Sequence, residues 1–133
     1  MAKHVYRFHI HHPHPNTWHG QEPTLGWQPH VDVYRNENGL LIQLEAPGVD
    51  EASLRLHFEA GALTIEGRRD RPALPPTTRC LCMEIEHGAF RRTVALPPDA
   101  DSDAIEARYE AGLLTISVPL RQPKPASRRV NID

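Results

Sequence analysis

A chain of 133 residues has the length of one domain and can bury one hydrophobic core of ordinary size. No stretch approaches the ~18 apolar residues of a membrane span, and the polar start "MAKHVYRFHIHH" is no secretory signal. Two cysteines exclude a disulfide scaffold, so a cytoplasmic home is the expectation. The net charge of −2 hides an uneven distribution: residues 31–120 carry nine Arg against fifteen Asp or Glu, a net of −6. Residues 121–133 carry four basic groups against Asp133, a net of +3, and residues 1–30 a net of +1. Basic ends on an acidic middle favour attraction between subunits. Nucleic-acid binding, which wants a basic face on the folded part, is not expected.

Residues 1–28 read as an arm. They are rich in proline, which withholds backbone donors from helix and sheet alike. Six of the nine histidines lie in the first twenty residues. From Val31 the pattern changes. "VDVYR" alternates, "NENG" supplies a turn, and "LLIQLEA" places Leu40, Ile42 and Leu44 on one face. "PGVD" breaks this strand. "LRLHFEAGALTIEG" reads as a hairpin, with Leu54, Leu56 and Phe58 alternating before the "EAG" turn and Leu63 and Ile65 after it. A charged, proline-rich loop over 68–79 leads to "CLCMEIE" (80–86), which alternates as a short strand would. "AFRRTVAL" puts Phe90, Val94 and Leu96 on one face with Arg92 among them. "AIEARYEAGLLTISVPL" repeats the strand–turn–strand pattern, with Ile105, Ala107 and Tyr109 on one face, then Leu114, Ile116 and Val118. Asp50 and Asp101 are each placed to cap a single helical turn. No stretch has sustained helical period. Short strands at this spacing with Gly/Pro punctuation predict an all-β antiparallel sandwich over 29–120, followed by a tail over 121–133.

The block from "VDVYRNENGLLIQLEAPGVDEASLRLHFEAGALTIEGRR" through "GAFRRTVALP" to "ARYEAGLLTISVP" resembles the small heat shock proteins of the alpha-crystallin family. The most specific element is Ala107, three residues, Ala111 and then "GLL", where the family shows A-x-x-x-(N/D)-G-V-L. Ala111 replaces the usual Asn or Asp. The likeness covers residues 27–120 and the last four. It implies an immunoglobulin-like sandwich and an ATP-independent stress chaperone that holds unfolding proteins soluble. It also implies a dimer made by a strand that crosses to the neighbouring subunit, mapping here to Cys80, Leu81, Cys82, Met83, Glu84, Ile85 and Glu86, with Arg92 near the interface. Dimers would join through a C-terminal I-x-I/V motif, here Val130-Asn131-Ile132. Its acceptor is a groove between two edge strands, mapping to Leu54, Leu56 and Phe58 on one side and Ile105, Ala107 and Tyr109 on the other. The expected partners are unfolding clients and further copies of the chain.

These expectations have a physical basis. An open sheet edge presents unpaired N–H and C=O groups, and an extended tail adds to it with alternate side chains entering pockets. Val130 and Ile132 are two apart and point the same way; burying both is worth about 3–6 kcal/mol gross. Tyr6, Phe8, Trp18 and Trp27 are four of only eight aromatics in the chain, and with Ile10 they make the arm a client-binding surface by expectation. Its histidines gain charge as the pH falls from about 8 to 5, which suggests an arm that acid makes cationic. "HIHH" offers imidazoles to a metal, yet has no evident second shell to hold them, and C-x-C at Cys80 and Cys82 lacks a second pair. No dedicated metal site and no cofactor are expected. The sequence contains no G-x-x-x-x-G-K, H-E-x-x-H or G-x-S-x-G, so an enzyme is not expected either. The alternative is a co-chaperone or adaptor domain of the same fold, binding one partner without holding clients.

Overall fold

The computed structural model describes residues 5–6, 27–122 and 130–132. Phe8, Ile10, Trp18, the six N-terminal histidines and the linker 123–129 lie outside the described residues. Eight strands occur among the described residues: β1 (Val5–Tyr6), β2 (Val31–Asn36), β3 (Gly39–Glu45), β4 (Arg55–Glu59), β5 (Ala62–Arg69), β6 (Gly88–Ala95), β7 (Glu106–Glu110) and β8 (Leu113–Pro119). They form two antiparallel sheets, one ordered β1-β7-β8-β3-β2 and the other β4-β5-β6. The expected all-β sandwich is what the chain forms.

The period-2 pattern explains the layers. On β3 and β8, Leu40 opposes Val118, Ile42 opposes Ile116 and Leu44 opposes Leu114; all six are buried. The smaller sheet answers with Leu56, Leu63, Ile65 and Phe90, also buried. Their polar neighbours face out, because successive side chains alternate across a strand. At the centre of the β5–β6 ladder Gly67 opposes Phe90. A Cβ on Gly67 would lie 2.6 Å from two Phe90 ring carbons, so the missing side chain is the space the ring occupies.

Two hairpins, β4–β5 and β7–β8, close through the same two residues, Ala-Gly. Ala60 and Gly61 have φ of 49° and 76°, and Ala111 and Gly112 have 53° and 78°. Positive φ at both central positions is the type I′ geometry, whose twist matches that of the flanking strands. The two short 3-10 turns, Glu51–Ser53 and Ser102–Ala104, are capped as expected: the Asp50 carboxylate accepts from the Ala52 N–H and that of Asp101 from the Asp103 N–H.

One expectation is corrected. Trp27, expected in the client-binding arm, is buried against the sandwich instead, edge-on to Phe90 with ring centroids 5.2 Å apart and planes at 82°. The Arg69 guanidinium covers its other side, 3.7 Å from the ring centroid. An indole enclosed in this way is not presented to clients. The segment 80–86 forms no strand within its own chain; the strand expected of it is one paired with a neighbouring subunit. It bends at Leu81 and at Ile85.

Candidate assembly surfaces

An open sheet creates edges, and this sandwich leaves several. On the larger sheet β2 has one neighbour, β3, so its outer backbone groups are unpaired by any described strand. Side chains here are exposed, Val33 at 47% and Tyr34 at 53%. The Tyr34 hydroxyl donates to Asp32, whose negative charge holds the phenol above its ordinary pKa. At the β2 flank the Arg92 guanidinium, part-buried on β6, donates to the Gln28 side chain at 3.4 Å, and Trp27 packs on Phe90. These contacts tie β6 to the approach to β2. In an aligned sandwich the opposite ends of the two sheets, β4 and the β1–β7 pair, then share the other flank.

That second flank carries the six expected groove residues, and burial divides them. Leu54, Leu56 and Ala107 are sealed in the core. Phe58, Ile105 and Tyr109 are half-buried and pack against it, so they supply the apolar surface still open to a ligand. The Tyr109 hydroxyl donates to the Ala46 carbonyl, which fixes the ring. Burial is the main reason its phenol is pushed above the ordinary value, with the Glu51 charge adding to it. On the outward face of the smaller sheet Glu66 is gripped by Arg91 at 2.8 Å and approached by His57 at 3.6 Å.

The apolar segments expected to dock stand clear of the body. Leu81 is 87% exposed, Met83 61% and Ile85 65%. Cys80 and Cys82 are exposed and unbridged. At the other end of the chain Val130 and Ile132 are 77% and 95% exposed. One residue was missed by the sequence reading. Arg69 donates from Nε and Nη2 to the Glu86 carbonyl and from Nη1 to the Pro47 carbonyl while lying on Trp27. It pins the exit of the loop that carries 80–86. Nothing in "GRRDR" distinguishes it from its neighbours. Among the described residues no group of three or more His, Cys, Asp or Glu side chains converges as metal ligands would, and no helix is long and apolar enough to cross a membrane.

A two-sheet antiparallel sandwich with open edges is the build of an alpha-crystallin domain. The sequence of residues 32–133 matches the model of the Hsp20/alpha crystallin family, and the chain belongs to that family. It is 33% identical over 102 residues to 18 kDa antigen 1 of Mycobacterium avium, covering 77% of this chain and 67% of that protein. It is 29% identical over 106 residues to heat shock protein 16 of Schizosaccharomyces pombe, covering 78% and 74%. Among solved structures it resembles a small heat-shock protein from Xylella fastidiosa, described as having a distinct high order structure. That match has a TM-score of 0.70 and 31% identity over 81% of this chain and 98% of the other. The hspA structure from Xanthomonas axonopodis matches with a TM-score of 0.64 and 34% identity, over 71% and 95%.

Proposed function

We propose that the protein is an ATP-independent holdase of the cytoplasm, which captures unfolding proteins and assembles with itself in two steps. The observation that carries this reading is a complementarity within one chain. Apolar segments at 80–86 and 130–132 stand exposed, and the sandwich leaves edges that accept added strands.

In the first step 80–86 of one copy straightens and pairs with the β2 edge of another. Leu81, Met83 and Ile85 share one side of an extended strand, and burying the three is worth about 5–9 kcal/mol gross. Ordering the segment and docking two bodies remove part of this. Arg92 sits at the same flank and orders the approach through Gln28. In the second step Val130 and Ile132 enter the groove beside Phe58, Ile105 and Tyr109. The acidic middle of the chain and the basic linker 121–129 favour the encounter. Clients meet the aromatic arm, through Tyr6, Phe8, Ile10 and Trp18, and groove surface that anchors have vacated.

Native mass by light scattering and suppression of aggregation of a heated model protein, with and without ATP, test this on one sample. The expected result is a multi-subunit particle whose protection is indifferent to ATP. Val130→Gly with Ile132→Gly reduces that particle to dimers. Deleting residues 1–26 lowers protection while leaving dimers intact. A monomer without protection defeats the reading and favours a partner-specific adaptor.

A further inference from the structure

The groove flank holds one more strand. Val5 and Tyr6 form β1 and pair antiparallel with β7, Val5 opposite Arg108 and Tyr6 opposite Ala107. Ala107 is the middle of the stretch whose part-exposed members, Ile105 and Tyr109, line the groove. The backbone groups of a sheet edge pair with one added strand at a time. A tail anchor laid along β7 and the arm strand laid along β7 therefore exclude one another at Ala107 and Arg108.

The two segments are also alike in sequence. The arm reads Lys3-His4-Val5-Tyr6 and the tail reads Arg128-Arg129-Val130-Asn131, each a valine preceded by two residues of basic type. The exposed side of β7 carries Glu106 and Glu110 with Arg108 between them, Arg108 lying 3.7 Å from Glu110, so Glu106 is the acidic group left to meet either basic pair. Alternation continues in the arm through Tyr6, Phe8 and Ile10, as in a strand with one apolar side. The arm has a further advantage. It belongs to the same chain as the edge it pairs with, and linking a ligand to its site makes binding intramolecular, with an effective concentration that reaches the order of millimolar. An anchor from another copy at micromolar concentration competes against that.

We propose that the segment around Val5–Tyr6 is an internal occupant of the anchor-accepting edge, so that assembly through Val130–Ile132 of a second copy requires its release. This rests on the anchor reading given above. Growth of the particle is then gated within each subunit, and a released arm becomes available to clients at the moment its edge becomes available to an anchor.

The test uses the full chain carrying Val130→Gly and Ile132→Gly, so that its own tail does not compete. The probe is a fluorescein-labelled synthetic peptide of residues 126–133. Its affinity by fluorescence anisotropy is compared with and without Val5→Pro plus Tyr6→Pro, which remove two backbone donors from the arm. Hydrogen exchange of amides 106–110 is followed on the same proteins without peptide. The expected result is apparent affinity at least about threefold tighter in the proline variant, and exchange at 106–110 at least about threefold faster. Because the prolines lie outside the sandwich core, far-UV circular dichroism stays unchanged; Val5→Gly plus Tyr6→Gly serves as a second variant with the same expected direction. Equal affinity with unchanged exchange overturns the arm contact. A peptide that binds neither protein, while exchange still responds to the prolines, overturns the anchor reading and the competition with it.

Discussion

The two Ala-Gly turns invite a direct perturbation. Ala60 and Ala111 stand at φ of 49° and 53°, in the left-handed region that a Cβ disfavours. The penalty for an ordinary L-residue there is about 1–2 kcal/mol. Asn tolerates the region because its short amide bonds locally, and it is among the preferred residues of type I′ turns. Ala111→Asn and Ala60→Asn should each recover about half the penalty, roughly 0.5–1 kcal/mol. The turns belong to hairpins of different sheets, so the double variant should gain about 1–2 kcal/mol by near-additivity. For a chain of this size that is a rise in Tm of about 2–8 °C per kcal/mol. Glycine removes the whole penalty but raises unfolded-state entropy, at about 0.5–1 kcal/mol, so its net gain is close to that of Asn and both should exceed Ala. Urea unfolding at fixed protein concentration, followed by tryptophan fluorescence, measures it, because Trp27 is enclosed only in the folded state. The m-value should not change. If Ala111→Asn is neutral or destabilising, backbone strain at the turn is not what limits this hairpin.

Three other perturbations address the core and its fastenings. Gly67→Ala should cost about 1–3 kcal/mol by overpacking, since its Cβ would stand 2.6 Å from the Phe90 ring; Phe90→Leu in the same chain should make the two costs less than additive in urea melts. Arg69→Ala removes charged donors from the Glu86 and Pro47 carbonyls together with the stack on Trp27. It should destabilise by about 2–3 kcal/mol and speed proteolysis of the 70–87 loop, and Arg69→Lys should restore less than half, because an ammonium cannot reach both carbonyls. Tyr109 is held protonated above its ordinary value of 10.0, chiefly by burial. The folded chain therefore keeps that proton longer than the unfolded one, and stability is complete below about pH 10 and falls as pH rises through the folded value. Tyr109→Phe should lose about 1 kcal/mol at neutral pH with its bond to Ala46 and flatten the alkaline slope. Tyr34, raised beside Asp32, accounts for slope that remains.

Much of this architecture is legible in the residues because half-buried strands write their burial into the alternation. Ile42, Leu44, Leu63, Ile65, Leu114 and Ile116 were all readable as inward-facing, and Asp50 and Asp101 as caps. What the pattern leaves open shares a cause: each feature depends on a partner remote in the chain. "CLCMEIE" carries the same alternation as a true strand, but a strand also needs a ladder, and alternation is silent about who provides it. Trp27 sits among prolines and reads as arm; its enclosure is decided by Phe90 and Arg69, far along the sequence. Val5–Tyr6 is too short to carry a period at all. Within the groove, pattern gave the correct face of each strand, yet could not separate sealed Leu54, Leu56 and Ala107 from open Phe58, Ile105 and Tyr109, because that depends on how close to the edge the opposing sheet ends.

The grip of Arg69 on the Glu86 carbonyl sets a radius. With the exit of the loop fastened, residues 80–85 lead away from a fixed post. Six residues reach at most about 20 Å when fully extended. In the dimer proposed above, the second copy's β2 edge has to lie inside that circle, which restricts how the two sandwiches of that dimer approach and tilt. Lengthening the loop ahead of Cys80 leaves the radius unchanged, whereas loosening the post at Arg69 enlarges it. The shape of the proposed pair would thus be governed from inside the subunit, by one guanidinium lying on a tryptophan.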